Sequence, residues 1–219
     1  MSLPHDASRL WKALHRFITF VLPLFCRLQV EGREHIPHSG GCIVACNHSM
    51  GPDYLMLGYA STRQIFYMAK SELFQIHPWL SRFLGMAGVF PIKRGQKDLE
   101  AIGTAEELVL AGRVLGMFPE GTRSRSGCLQ RGKSGVTRIA MAAQTPVVPA
   151  VVINSRAVFK LGQRPQVVVR FGPSLTLQGN PQDKVSLQQN TEAIMYAIAD
   201  LLPPGQRGPY ERSNGKAKL

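Results

Sequence analysis

Seven short apolar segments take turns with stretches of helical periodicity along this chain, and that alternation restricts its fold more than any other feature. The segments "CRLQVEG", "GCIVACN", "IFYMA", "GVFPIKR", "VLGMFPE", "PVVPAVVI" and "QVVVRFG" are rich in β-branched and small apolar residues, as buried strands are. Between and after them lie "PDYLMLGYAS", "PWLSRFLGMAG", "KDLEAIGTAEELVLAG", "GVTRIAMAAQ" and "SLQQNTEAIMYAIADLL". In the third of these, Leu99, Ile102, Ala105, Leu108 and Val109 share one helical face, and Gly112 stands where a left-handed residue ends a helix. Strand and helix in turn predict an α/β fold, a mostly parallel sheet flanked by helices. With 219 residues the chain buries one sizeable core. That core is assigned to residues 28–203, preceded by an arm, residues 1–27, and followed by a tail. The tail, residues 204–219, lacks apolar periodicity and is expected to be mobile.

The charge is lopsided. Lys and Arg number 26 against 14 Asp and Glu, a formal +12, so the surface attracts anions: nucleic acid, anionic lipid, phosphorylated substrates or an acidic carrier protein. Cys26, Cys42, Cys46 and Cys128 show no disulfide framework, which fits a reducing compartment. Cys42, Cys46 and His48 are close in sequence, but "GGCIVAC" reads as a buried strand and contains no C-x-x-C pair, so no metal site is assigned.

Within the arm, the apolar run "FITFVLPLFC" is far short of the ~20 residues that span a bilayer, and no small-residue cleavage site follows it. Upstream, Arg9, Lys12, His15 and Arg16 recur every three or four positions, and Leu10, Trp11, Leu14, Phe17 and Ile18 fill the other face. This is an amphipathic helix suited to a membrane interface, with Pro23 expected to kink or end it. The alternative is a helix packed on the protein's own core.

"GCLQRGKS", residues 127–134, fits the nucleotide-binding pattern G-x-x-x-x-G-K-[ST]. A phosphate-binding loop needs a buried strand running straight into its first glycine. Here the polar stretch "EGTRSRS" intervenes, and no later strand closes on an aspartate for magnesium. The nucleotide reading is rejected.

The chemistry lies elsewhere. In "NHSMGPD", residues 47–53, His48 and Asp53 are five apart, which on a continuous helix would set them ~140° from each other. Gly51 permits a tight turn and Pro52 starts a helix with Asp53 in its first turn, so the carboxylate can fold back onto the imidazole. An Asp on one ring nitrogen fixes the tautomer and leaves the other nitrogen as a base. No nucleophile sits at a recognisable elbow, so the pair suits activation of a hydroxyl that arrives on the substrate. Taken alone, the pair also admits a bland reading, with Asp53 a helix-start charge and His48 a polar strand end. "FPIKRG" puts Lys93 and Arg94 past one strand, and "FPEGTRSRSG" puts Glu120, Thr122, Arg123, Ser124 and Arg125 past another. In a parallel sheet such strand ends share one rim, where arginines hold phosphate bidentately.

Together and in order, "NHSMGPD", "GVFPIKRG", "FPEGTRS" and "VVPAVV" resemble the four blocks of the glycerolipid acyltransferases, specifically the 1-acylglycerol-3-phosphate acyltransferases. The resemblance covers about residues 28–155, with "VEGREHIP" and "MAKSELF" also alike. It implies that His48 and Asp53 are the catalytic pair. It further implies that Lys70, Arg94, Glu120, Gly121, Thr122 and Arg123 bind the phosphate end of the acceptor, and that Pro149 lies in a structural or acyl-facing block. The implied reaction moves an acyl group from a thioester, on coenzyme A or acyl carrier protein, to the free hydroxyl of lysophosphatidic acid, with no metal or redox cofactor. The implied setting is an anionic membrane surface, on its cytoplasmic face. Two alternatives stand beside it. One is an acyltransferase for glycerol 3-phosphate or another lysolipid. The other is a non-catalytic basic module for anionic membrane or nucleic acid, although no aromatic-rich face for nucleic acid is evident.

Overall fold

The protein is described here by a computed structural model over residues 7–92, 99–160 and 162–212. In chain order the elements are α1 (Arg9–Phe25), β1 (Arg27–Glu31), β2 (Cys42–Cys46), α2 (Asp53–Ala60), β3 (Ile65–Lys70), α3 (Ser71–Gln75) and α4 (Pro78–Met86). They continue with β4 (Val89–Ile92), α5 (Leu99–Leu110), β5 (Val114–Met117), α6 (Gly135–Ala142), β6 (Val147–Ile153), β7 (Gln166–Phe171) and α7 (Lys184–Leu201). One seven-stranded sheet runs β1-β7-β6-β2-β5-β3-β4. All neighbours are parallel except β6 and β7, so the α/β fold with a mostly parallel, helix-flanked sheet is as expected.

Strand β2 lies at the centre and is buried along its whole length. Its side chains alternate between the two faces. Cys42, Val44 and Cys46 pack with Met56, Leu57 and Ala60 of α2. Ile43 and Ala45 join a second cluster with Ala105 and Val109 of α5, Ile139 of α6 and Ile194 and Ile198 of α7. Strands buried on both faces are continuous apolar runs rather than alternating ones, which is why "CIVAC" and "VVPAVVI" read so clearly as strands. Helix α3 went unread in the sequence because its five residues are too few for periodicity to register.

Helix α1 is capped by Ser8, whose hydroxyl accepts from Trp11 N at 3.1 Å. Pro23 falls in its last turn, and the helix ends two residues later without breaking at the proline. One face is docked on the body: Trp11 and His15 are buried, and Ser8 N donates to Gln64 Oε1 at 2.9 Å. The helical pattern puts His15 on the outward polar face, yet its ring stacks on Tyr59 at 4.6 Å and sits 5.1 Å from Trp11. An imidazole can bury its flat apolar body if one nitrogen finds a partner, and Nε2 lies 3.3 Å from the Tyr59 carbonyl oxygen. Conversely, Phe17, Phe20 and Leu24 face solvent. Among the described residues no helix is long and apolar enough to cross a membrane.

Burial pushes the His15 pKa below its ordinary value; its bond to Tyr59 opposes this and the charge of Arg33 adds to it. An undocked α1 therefore takes up a proton first. Docking is strongest above the ordinary histidine value of about 6.5 and weakens as pH falls from there through the lowered one. In a Trp79→Phe background, Trp11 fluorescence is expected to shift to the red between about pH 8 and about pH 5, and His15→Gln to abolish that dependence. Emission independent of pH in the unsubstituted helix would show that His15 does not control docking.

The tail differs from expectation in its first half. Residues Gly208–Tyr210 form a 3₁₀ turn, Tyr210 is buried, and its hydroxyl accepts from Gly132 N at 3.1 Å. The phenol ring provides an anchor that composition alone concealed. Residues 213–219 lie outside the described residues.

Candidate active site

The ends of β2, β5, β3 and β6 meet at one rim of the sheet, because these strands are neighbours and parallel. Asn47, just past β2, ties the rim together: its amide donates to Val152 O at 3.2 Å and accepts from Val152 N at 2.8 Å. His48 follows directly. The chain then turns at Gly51, which is buried so tightly that an added Cβ would stand 2.3 Å from Ser155 Oγ and 2.5 Å from Arg156 N. Only glycine fits, and the turn delivers Asp53 to the first position of α2.

The expected pair is formed. His48 Nδ1 and Asp53 Oδ2 are 3.0 Å apart. Asp53 is fully buried and accepts at both oxygens. Oδ2 also takes Ser49 N at 2.6 Å, while Oδ1 takes Ser49 Oγ at 2.8 Å and the hydroxyl of Ser155. The His48 ring stacks on Phe118 with centroids 4.0 Å apart and planes within 19°. Between the carboxylate and this ring the imidazole has one orientation. Its Nε2 has no hydrogen-bond partner among the described residues, and the side chain keeps 16% exposure. A histidine oriented through Nδ1 with an open Nε2 can accept a proton from an incoming hydroxyl.

Glu120 departs from the role implied for it. It is 2% exposed, and its two oxygens accept from His48 N at 2.6 Å and Gln130 N at 2.8 Å. Burial raises its pKa, and the two backbone donors pull the other way. A carboxylate so engaged clamps the backbone of His48 to the loop after β5, and its charge would repel a phosphate. Glu120 is thus a scaffold residue and not an anion ligand. Ser124 N completes the clamp by donating to His48 O at 2.7 Å.

The neighbouring positions of that loop are open. Gly121, Thr122 and Arg123 are exposed, and Gly121 has φ +69°, a left-handed turn that disfavours any side chain. The long side chain of Lys133 lies over it, within 2.9 Å of where a Cβ would stand, and Lys133 N donates to Pro119 O at 2.8 Å. The lysine of the rejected nucleotide pattern therefore belongs to this loop. Lys70 closes β3 at the same rim. Arg94 lies outside the described residues. Ser49, Phe118, Lys133 and Ser155 were missed as parts of the site, although Ser49 is inside the first block and Ser155 stands two residues beyond β6. An apolar groove of about 240 Å³ between α1, α2 and α4 is lined by Trp11, Ile18, Leu55, Tyr67 and Phe83, and Tyr67 is stacked in turn toward Phe118.

With this geometry in hand, comparison with known families is decisive: the Acyltransferase family model matches residues 27–153. The chain belongs to that family. This acyltransferase is 31% identical over 196 residues to the 1-acyl-sn-glycerol-3-phosphate acyltransferase of Bacillus subtilis (strain 168), covering 88% of the present chain and 96% of that protein. It is 28% identical over 196 residues to human 1-acyl-sn-glycerol-3-phosphate acyltransferase alpha, covering 83% and 67% respectively. Its fold is shared with the crystal structure of the 1-acyl-sn-glycerophosphate (LPA) acyltransferase PlsC from Thermotoga maritima. There the TM-score is 0.67 at 22% identity, over 87% of the present chain and 78% of the other.

Proposed function

We propose that this acyltransferase moves an acyl group from a thioester, on coenzyme A or acyl carrier protein, to the free hydroxyl of 1-acyl-sn-glycerol 3-phosphate, yielding phosphatidic acid. One observation carries the reading: a histidine held by a buried aspartate, with its second nitrogen open, stands beside a loop that bears the exposed Arg123. His48 Nε2 takes the hydroxyl proton as the oxygen attacks the thioester carbonyl carbon. Asp53 stabilises the imidazolium that forms. The tetrahedral intermediate then collapses, the carbon–sulfur bond breaks, and the proton passes from His48 to the departing sulfur. The acyl chain lies along the apolar groove between α1, α2 and α4, which borders Tyr67. Arg123, with Lys70 and Arg94, receives the acceptor's phosphate, and Lys133 joins them.

The reaction takes place at a membrane surface, on its cytoplasmic face. Supporting this are the exposed Phe17, Phe20 and Leu24 beside Arg9, Lys12 and Arg16, and the free thiols of all four cysteines. Turnover of paired donors (acyl-coenzyme A, acyl carrier protein) with paired acceptors (1-acyl-sn-glycerol 3-phosphate, glycerol 3-phosphate) tests the assignment. Faster acylation of glycerol 3-phosphate would overturn it.

Arg123→Ala is expected to raise KM for the phosphorylated acceptor at least tenfold and leave that of the donor within about twofold, since a charge-assisted contact is worth about 1.5–3 kcal/mol. Lys133→Ala is expected to act in the same direction, without any affinity for ATP being present to lose. Equal damage to both substrates would make these residues structural, and calorimetric binding of ATP that depends on Lys133 would restore the nucleotide reading.

A further inference from the structure

We infer that Ser155 is a positioning residue for the catalytic pair, acting through Asp53 and never on the substrate itself. The inference rests on the acyl-transfer reading above and extends it to a residue two positions past the matched residues 27–153. Three observations converge. Ser155 is 1% exposed, so no substrate reaches it. Its hydroxyl donates to Asp53 Oδ1 and lies 2.8 Å from Ser49 Oγ, which donates to the same oxygen. Gly51, in the turn that carries Asp53 back to His48, packs directly on Ser155 and on the amide of Arg156.

The physical reason follows from burial. A carboxylate withdrawn from water needs donors at both oxygens. On Oδ2 these are the Ser49 amide and the imidazole; on Oδ1 they are two hydroxyls, one local and one from 102 residues away. Ser49 alone travels with the turn it would have to restrain. Ser155, fixed by β6 and the 3₁₀ turn Ser155–Phe159, anchors Oδ1 to the sheet and so sets the rotation that points Oδ2 at Nδ1. It also draws part of the negative charge away from His48. The other titratable groups near this carboxylate are Cys46 on β2, Tyr67 on β3 and Glu120 past β5. Of these, Glu120 is engaged with backbone amides, and the thiol and phenol are both pushed well up by burial.

The test uses the full chain with Ser155→Ala, Ser155→Thr, Ser155→Cys and His48→Ala, assayed with 1-acyl-sn-glycerol 3-phosphate and a thioester donor across pH. Ser155→Ala is expected to lower kcat on the order of tenfold with both KM values within about twofold. Without the Ser155 donor the carboxylate keeps more of its charge for the imidazolium. The acid limb of kcat/KM is therefore expected to move to higher pH. Ser155→Thr, which keeps the hydroxyl, is expected to recover most of the rate. If Ser155→Ala does not fold, the near-isosteric Ser155→Cys, a weak donor, carries the same expectation in milder form. An unchanged kcat and acid limb, or a rise in KM without a shifted limb, overturns the inference. Should His48→Ala itself turn over normally, the acyl-transfer reading fails first, and the two failures are distinguishable.

Discussion

His48→Ala is expected to keep its fold and lose acyl transfer by about two to four orders of magnitude, the usual worth of a general base. The ring is half-buried and rests on Phe118, so its removal opens a small space at the rim rather than a cavity in the core. The backbone at this position stays clamped, since Glu120 and Ser124 hold the N–H and C=O and do not depend on the side chain. Among the described residues no other base faces this position. Glu120 is committed to two amides, and Asp53 is fully buried. Asp53→Asn behaves differently. The Ser49 amide donates to Oδ2 and accepts nothing, so it requires an oxygen there, and the new NH₂ turns toward the Ser49 and Ser155 hydroxyls, which can accept. The tautomer of His48 is thereby retained, and what is lost is the charge facing the imidazolium. The expected result is a fall of about a hundredfold in kcat with normal substrate KM values. Circular dichroism and steady-state kinetics on both variants check this, and near-normal turnover by folded His48→Ala would sink the mechanism.

The triple variant Phe17→Ser, Phe20→Ser, Leu24→Ser is expected to stay folded and to stop sedimenting with anionic vesicles. These side chains are 63%, 80% and 70% exposed, and the docked face of α1 is made by Trp11 and His15 instead. At roughly 25 cal/mol per Å², three large side chains transferred from water contribute on the order of 5 kcal/mol, more than a thousandfold in partition. Arg9, Lys12, Arg16 and Arg27 add up to about 1 kcal/mol each near an anionic surface, so high salt alone is expected to release the unsubstituted protein only in part. Deleting residues 1–27 is a harsher change, because it also uncovers the groove that Trp11 and Ile18 line. Acylation in vesicles is expected to fall with release, while acylation of a detergent-dispersed acceptor survives. Sedimentation unchanged in the triple variant would move the membrane contact to Ile76, Trp79, Phe83 and Met86, the exposed large apolar residues in and just before α4.

What the sequence determined by itself was the layered fold and the place of the candidate site. Strands buried on both faces are apolar throughout, and helices that cover them carry one apolar stripe, so both periods are written locally. The His48–Asp53 pair was equally legible, because Gly51 and Pro52 permit the return of the chain within a single turn. Tertiary structure alone decided which donors complete the pair. Ser155 reaches Asp53 from 102 residues away, and nothing in its immediate neighbours marks it; Lys133, 12 residues past Gly121, covers the loop after β5, although its own motif points to a nucleotide instead. It also separated Glu120 from the cations beside it. A carboxylate in an acidic-and-basic loop reads as surface charge, and only the amides of His48 and Gln130 turning inward made burial tolerable. The same holds for His15 and Tyr210, polar letters in a helical pattern and in a tail. Each is buried because one polar atom meets a partner distant in sequence, a satisfaction that periodicity cannot register.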